Sequence, residues 1–595
     1  MNPRPALVAA SSRVVTIVGV VFLLSIIPLL SGRDQAVSIF RARSAEGEIT
    51  EEALEAIRRE IGLDAGPFGS FTTWFGGVLR GDLGVSWVAR KPVALDLVTT
   101  LGTSLTLMLA SFGVAVVLAA LLTVPTFRRG LAGRPARTGG GAAAAFTALP
   151  DFLLASVLLI VFAVWLGWFP PYGWRGPQYV VLPALAMGIP AGGFLGRMLS
   201  DALADTFAEK WIATWQVAGS SNARIVLAAL RRTLPGIAAP LSLVLVSITA
   251  SAVVVEQVYA IPGIGRTTIG AAQAQDLPTL QGGVLLLMLL AVAFGVGVTL
   301  LRVALLGPAL RSSSLPAPVP RAPSSASALI LPAAMLVLLV VLIVAGLPRD
   351  PYALDFTRLQ APDWTLPFGA DASGRDVLAR VSHGALSTLG TGVVVMLACL
   401  ALSLVVGLFP NAAAGPIEIT NAAPPILAGL IVAAIMGPSA VGAAIAVAAV
   451  SWAPLASHTA ALVAEAKAQP HIAIAPVLGV GRVRLLFHYV LPGVIGPVFR
   501  HACLRLPGIC LALAALGFLG LGPQPPASDW GLVLSEGLPY VERAPFLVAL
   551  PAAALIALGV FAVSLSNVTL RRRTGRTAPD AVATAHDPAH RTPVH

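Results

Sequence analysis

The sequence predicts an all-α polytopic membrane protein with about 12 transmembrane helices arranged as two six-helix units. Three observations predict it. Hydrophobic residues fill 56% of the 595 positions and charged residues only 11%, against about 25% charge in a soluble domain. Apolar stretches long enough to cross a bilayer recur on both sides of one Pro/Ser/Ala-rich segment. Two loops, one in each half, carry the same punctuation: a glycine, then a Leu-Pro pair.

Roughly 20 apolar residues are needed per crossing. In the first half such stretches fall near 14–30, 97–124, 142–166, 178–199, 236–258 and 283–306. The first has Arg4 and Arg13 ahead of it, as a secretory leader does, but several more spans follow, so a first transmembrane helix is expected. In the second half they fall near 327–347, 384–409, 419–437, 440–460, 493–515 and 546–568. The Ala/Gly/Pro-rich stretch 411–460 divides poorly, and its small residues suit close helix packing in lipid. Between the halves, 311–326 is rich in Pro, Ser and Ala without helical periodicity and reads as an extended linker. The plan is a first unit over 1–310, the linker, a second unit over 327–570 and a basic tail over 571–595.

The formal net charge is +11, but the basic residues sit in short clusters between apolar segments rather than in a stripe. Lipid head groups and topology account for them, and nucleic-acid binding is not expected. Arg128, Arg129, Arg134 and Arg137 share one loop without acids, and Arg571, Arg572, Arg573 and Arg576 follow the last span. The positive-inside rule puts both clusters in the cytoplasm, and counting spans puts both termini, the linker and both punctuated loops there too. The long loop 31–96 then lies outside. Within it, Thr50 precedes Glu51-Glu52-Ala53-Leu54-Glu55-Ala56-Ile57-Arg58-Arg59-Glu60-Ile61, whose apolar positions recur at helical spacing. This is an amphipathic helix, either a docking surface or simply solvated.

The punctuated loops lie at about 200–235 and 461–492. The first reads Thr214-Trp215-Gln216-Val217-Ala218-Gly219, with Leu234-Pro235 further on. The second reads Ala473-Ile474-Ala475-Pro476-Val477-Leu478-Gly479, with Leu491-Pro492 following more closely. A short helix, a glycine that ends it and a Leu-Pro that starts the next membrane helix make a protruding elbow. This arrangement resembles the EAA loop of bacterial ABC import permeases. Other segments resemble the dipeptide/oligopeptide/nickel class of these permeases. In the first half they are Arg80-Gly81-Asp82-Leu83-Gly84-Val85-Ser86, Thr103-Ser104-Leu105-Thr106-Leu107 and Glu256 through Arg266, followed by Gln275-Asp276-Leu277-Pro278. In the second they are Phe368 through Arg380, Gly517 through Pro526, and Asp529-Trp530-Gly531.

The resemblance covers nearly the whole chain in order, and it implies two type I importer permease units fused end to end. It implies a bacterial plasma-membrane protein that forms the translocation path of an ATP-driven importer, with short peptides the favoured substrate. Its partners would be two ABC ATPase subunits, or one fused ATPase, and an extracytoplasmic substrate-binding (lipo)protein, all in contact with a protein surrounded by membrane lipids. The coupling residues it implies are Thr214, Ala218, Gly219, Leu234 and Pro235 in the first elbow, and Ala473, Ala475, Gly479, Leu491 and Pro492 in the second. Two departures stand out. The acid that names the EAA loop is absent from both copies, and Pro470 and Pro476 fall where they would interrupt an ordinary helix.

Elsewhere the chemistry is sparse. Lys91, Lys210 and Lys467 are the only lysines and none follows a glycine, so no GxxxxGK[ST] phosphate loop exists. The chain is expected to be a transport pore rather than an enzyme, with ATP hydrolysis on separate subunits. Cys399, Cys503 and Cys510 lie in apolar runs with no metal spacing, and no cofactor is expected. The histidines are scattered; His471 and His488 flank the second elbow as surface or interface positions. Glu256 and Glu418 are expected at span ends, in reach of water or head groups. The rival reading is a 6+6 ion-coupled secondary transporter, which would need ionisable groups inside the membrane.

Overall fold

The computed structural model describes residues 35–43, 50–61, 66–134, 141–147, 149–306, 329–409, 412–422 and 425–566, with isolated positions between 11 and 26. The linker 311–326, the tail 571–595, Arg137 and most of the first expected span lie outside the described residues. Among the described residues, eight helices are long and apolar enough to cross a membrane: Val93–Leu131, Gln178–Phe207, Pro240–Val258, Leu277–Val298, Val377–Gly407, Ala440–Ala468, Leu485–Phe518 and Phe546–Leu565. The other expected crossings are less regular. Asp151–Trp165 and Ile330–Gly346 are shorter apolar helices, and Gly415–Asn421 with Pro425–Met436 forms a pair bent by 97°. The second helix of the pair starts at Pro425, a first-turn position where the missing N–H of proline costs no helical bond.

Close approach of helices explains the packing. Gly188, Gly192 and Gly196 recur every fourth residue on Gln178–Phe207, along one face of the helix. A Cβ on Gly192 would come within 2.9 Å of the Ala115 carbonyl oxygen on Val93–Leu131, and one on Gly188 within 2.7 Å of the Ser111 oxygen. In lipid, where hydrophobic burial between helices gains little, such contact supplies the attraction. The second unit uses alanine in the same way: Ala443, Ala446, Ala453 and Ala456 are buried on Ala440–Ala468. One core runs through both units, joined by Phe152 against Phe518 with ring centroids 5.5 Å apart.

The expected amphipathic helix is present as Glu51–Ile61. It is not merely solvated. Leu54 and Ile57 are buried against Ala36 and Ile39 of Gln35–Arg43, a satellite cluster that Trp87 also covers. Burying each of these two aliphatic side chains contributes about 2 kcal/mol. Arg43 clamps Glu60 through two hydrogen bonds of 2.9 Å, and that clamp lowers the Glu60 pKa from its ordinary value.

Glu256 corrects the expectation drawn from the sequence. It is fully buried rather than in reach of water. Its Oε1 accepts the Ser104 hydroxyl at 2.5 Å and its Oε2 accepts the Arg266 backbone N–H at 3.1 Å, while the Ser104 oxygen in turn accepts the Ile264 N–H. The carboxylate packs where a Cβ on Gly263 or Gly265 would stand, which is why that turn needs glycine. The residue pins a turn to the long helix Val93–Leu131.

Candidate functional site

The two elbows are built by one backbone device. In the first, Lys210–Val217 is helical and Gly219 has φ 73°. The Ser220 N–H donates to the Trp215 carbonyl at 3.0 Å, and the Gly219 N–H to the Gln216 carbonyl at 3.1 Å. In the second, Gly479 has φ 81°, the Val480 N–H donates to Ala475 at 3.1 Å and the Gly479 N–H to Pro476 at 3.1 Å. The paired six-to-one and five-to-two bonds define a Schellman turn, whose left-handed residue is normally glycine. They also align the loops: Trp215 with Ala475, Val217 with Val477, Ala218 with Leu478 and Gly219 with Gly479.

Of the two prolines expected to interrupt the second elbow, Pro470 does not. The helix stops at Ala473, short of Pro476, whereas that of the first elbow runs on to Val217. Pro470 starts the helix Pro470–Ala473, where its missing N–H costs nothing, and Pro476 lies in the turn that follows. The Leu-Pro pairs diverge. Leu234–Ile237 is a 3-10 turn leading into Ala238–Val258, so this pair does open the next span. In the second copy the span begins earlier, as a π-helix over Leu485–Val490, and Leu491-Pro492 continues it. The wider turn makes room for the Pro492 ring, which in a regular α-helix meets the carbonyl four residues back.

The remaining candidate residues are placed as follows. Thr214 is exposed, its hydroxyl donating to the Lys210 carbonyl at 3.2 Å; Ala218 is the exposed C-cap, and Pro235 is buried. Ala475 is buried, and Ala473 ends its short helix. Both tips are apolar and bare: Val217 is 91% exposed, Val477 83% and Leu478 73%. His471 and His488 are exposed beside the second elbow.

At their bases the elbows differ. In the first, Arg232 pairs with Glu209 at 2.7 Å, the Trp211 indole donates to the same carboxylate, and Gln216 donates to the Leu131 carbonyl at 3.0 Å. Leu131 ends the helix that carries Arg128 and Arg129 in its last turn, so this basic cluster and the first elbow share one face. Among the described side chains of 470–490 no hydrogen bond or ion pair provides an equivalent brace.

Between the units lie two adjoining cavities. One, of about 430 Å³, is lined from the first unit by Asp151, Met187, Phe194 and Ser251 and from the second by Pro425 and Leu511. The other, of about 370 Å³, is lined by Ser451, Arg505, Gly508 and Gly559. Sequence reasoning assigned no residue to a path. The signal available was a charged residue inside an apolar run, Arg505 in the 493–515 stretch, which composition alone does not separate from a basic span end. The histidines are less scattered than they look in sequence: the rings of His458 and His501 pack 4.4 Å apart.

The family described as the binding-protein-dependent transport system inner membrane component matches the chain twice, at residues 83–312 and 395–576. The di/tripeptide transport system permease protein DppC of Pseudomonas aeruginosa (strain UCBPP-PA14) is 36% identical over 212 residues, 34% of this chain and 69% of DppC. The glutathione transport system permease protein GsiC of Escherichia coli O6:H1 is 29% identical over 267 residues, 44% of this chain and 86% of GsiC. GsiC of Escherichia coli (strain K12) is 28% identical over the same shares. These relatives are transport permeases, and they favour that class over an ion-coupled secondary transporter. With the family matched once in each half and membrane-crossing helices in both, this chain belongs to the binding-protein-dependent transport system inner membrane components and carries two permease units in one polypeptide.

Proposed function

We propose that the two units together form the path of an ATP-driven importer of short peptides, with separate ABC ATPase subunits docking on the two elbows. The observation that supports this most is the repeated elbow: one Schellman turn, built twice, with a bare apolar tip beside the glycine each time. An isolated valine exposed to water is ordinary. The same position exposed in both copies, on loops held by the same turn, fits a surface that a partner covers. The relatives named for di/tripeptides and for glutathione, itself a tripeptide, support the substrate class. An extracytoplasmic binding protein would deliver the substrate, as the family description implies.

The orientation follows from charge: Arg128 and Arg129 lie on the elbow face, which the positive-inside rule makes cytoplasmic. Reporter fusions at Ser313 and after Arg576 should both report the cytoplasm; an extracytoplasmic signal at the linker would remove the parallel arrangement of the units. Docking is tested by Val217→Asp and Val477→Asp. Each should leave the chain folded, lower co-purification with the ATPase subunits and reduce uptake of a labelled tripeptide in a deletion strain. Undiminished co-purification with both replaced would mean the elbows are not the docking surface. Purified alone, the chain should not hydrolyse ATP, because it lacks a phosphate cradle.

A further inference from the structure

The two cavities share the lining residues Thr147, Pro425, Leu511 and Ala512, so they stand side by side between the units. Among the described residues, each chamber is lined by one charged side chain. In the first it is Asp151, which is already engaged: Oδ1 accepts the Phe152 N–H at 2.9 Å and Oδ2 accepts the Ser251 hydroxyl. In the second it is Arg505, half-buried near the middle of the 28-residue helix Leu491–Phe518 and about 21 Å along the axis from Leu491. Arg505 makes no hydrogen bond or ion pair with a described residue.

That isolation is informative because the two buried arginines outside the membrane layer, Arg375 and Arg380, both have carboxylate partners. Arg380, 1% exposed, faces Asp371 at 2.8 Å and Glu536 at 2.6 Å. A guanidinium inside the membrane layer is costly and marks a path when it faces a cavity. Its planar fork of five donors fits a carboxylate through two parallel bonds. Around it, Gly508, Gly559 and Ala562 leave width, and the chamber has the size of a small-ligand site.

We propose that Arg505 is the contact in the path that takes the free carboxylate end of a passing short peptide, so that the permease itself selects for an unblocked C-terminus. Asp151, with its oxygens occupied, contributes shape and a field favourable to an ammonium rather than a strong contact. The inference rests on the peptide reading given above.

The test uses the full chain purified in detergent, without a binding protein, and reads thermal stabilisation by tri-alanine and by tri-alanine amide. Binding to the folded state alone raises Tm. In the unsubstituted protein tri-alanine should act at lower concentration than the amide. In Arg505→Gln its half-maximal concentration should rise about tenfold or more, the effect of losing a charged hydrogen-bonded pair. Arg505→Lys, which keeps charge without the fork, should fall between. Uptake of tri-alanine by cells carrying the unsubstituted chain is measured separately. If those cells import tri-alanine but the purified protein treats acid and amide alike, or Arg505→Gln leaves the preference intact, the carboxylate contact is wrong while peptide import stands. That result would also be expected if Arg505 instead held a lipid phosphate. If tri-alanine is not imported at all, the peptide reading fails and this inference with it.

Discussion

The two units are braced differently at each face. On the elbow face the first elbow is tied down by Arg232–Glu209 and by Gln216 to Leu131, and no such tie is made by the described side chains of 470–490 in the second. At the other end of the spans both units carry ion pairs, and those of the second are the more buried. There the second unit builds a buried network in which Asp371 meets Arg375 at 2.7 Å and Arg380 at 2.8 Å, Glu536 meets both arginines, and Arg349 pairs with Asp376 at 2.7 Å. The first unit braces that end less deeply, with the partly exposed Arg43–Glu60 pair at 2.9 Å and with Asp276, which accepts the Ser86 hydroxyl at 2.5 Å and the Trp87 N–H at 2.9 Å. Both units keep one backbone plan, yet between the two elbows only the first carries an ion pair among the described side chains, and at the far end only the second buries its ion pairs. Duplicated units need equal folds, not equal stiffness at each end.

The largest effect is expected in the second unit's network. Asp371→Ala leaves two buried arginines to share Glu536 and should cost about 3 kcal/mol, the lower end for breaking a buried pair. Burial alone would raise the Asp371 pKa, but the backbone N–H groups of Arg375 and Ser373 and the charges of Arg380 and Arg375 more than reverse this and hold it below the ordinary value of 3.8. A depressed folded value means the contribution is present above 3.8 and lost as pH falls through the lower folded value. Thermal unfolding against pH should therefore show an acid-side loss of Tm that Asp371→Asn flattens. An unchanged acid limb in that variant would place the bracing elsewhere.

Next come the glycines. Nothing lies within 4 Å of a Cβ at Gly219 or Gly479, so the cost to the isolated chain is the left-handed φ alone, about 1 kcal/mol. A charge at a docked interface adds more, so uptake should fall further than stability does. Gly479→Asp should be the more damaging, because the second elbow lacks the ties that hold the first in place. Equal losses of uptake in the two single variants would remove the asymmetry; full uptake with both replaced would make the elbows ordinary loops.

The smallest effect concerns the first elbow's brace. Glu209 and Arg232 are partly exposed, and such pairs contribute about 0.5 kcal/mol. Glu209→Gln should shift Tm slightly while making the first elbow as sensitive to Gly219→Asp as the second is to Gly479→Asp. Measured uptake in the double variant reads that coupling. Additive losses would show that the brace does not support the turn.

Much of this was legible in the sequence. Glycine at 219 and 479 has a physical reason that needs no neighbours: a left-handed turn ending a helix. The membrane crossings follow from length and apolarity, and Glu51–Ile61 from its cap and spacing. The misread features all depend on neighbours. Glu256 looks like a span-end acid until Ser104, distant in sequence, is brought against it. Pro470 looks disruptive unless the helix begins there. Arg505 reads as one more basic residue until the cavity between the units is formed around it. The sequence by itself determined the helices, the two-unit plan and the turn that ends each elbow, because these rest on local backbone preference and on transfer into lipid. The tertiary structure alone decided which polar groups are buried, paired or left open to the path, because pairing is set by residues far apart in the chain.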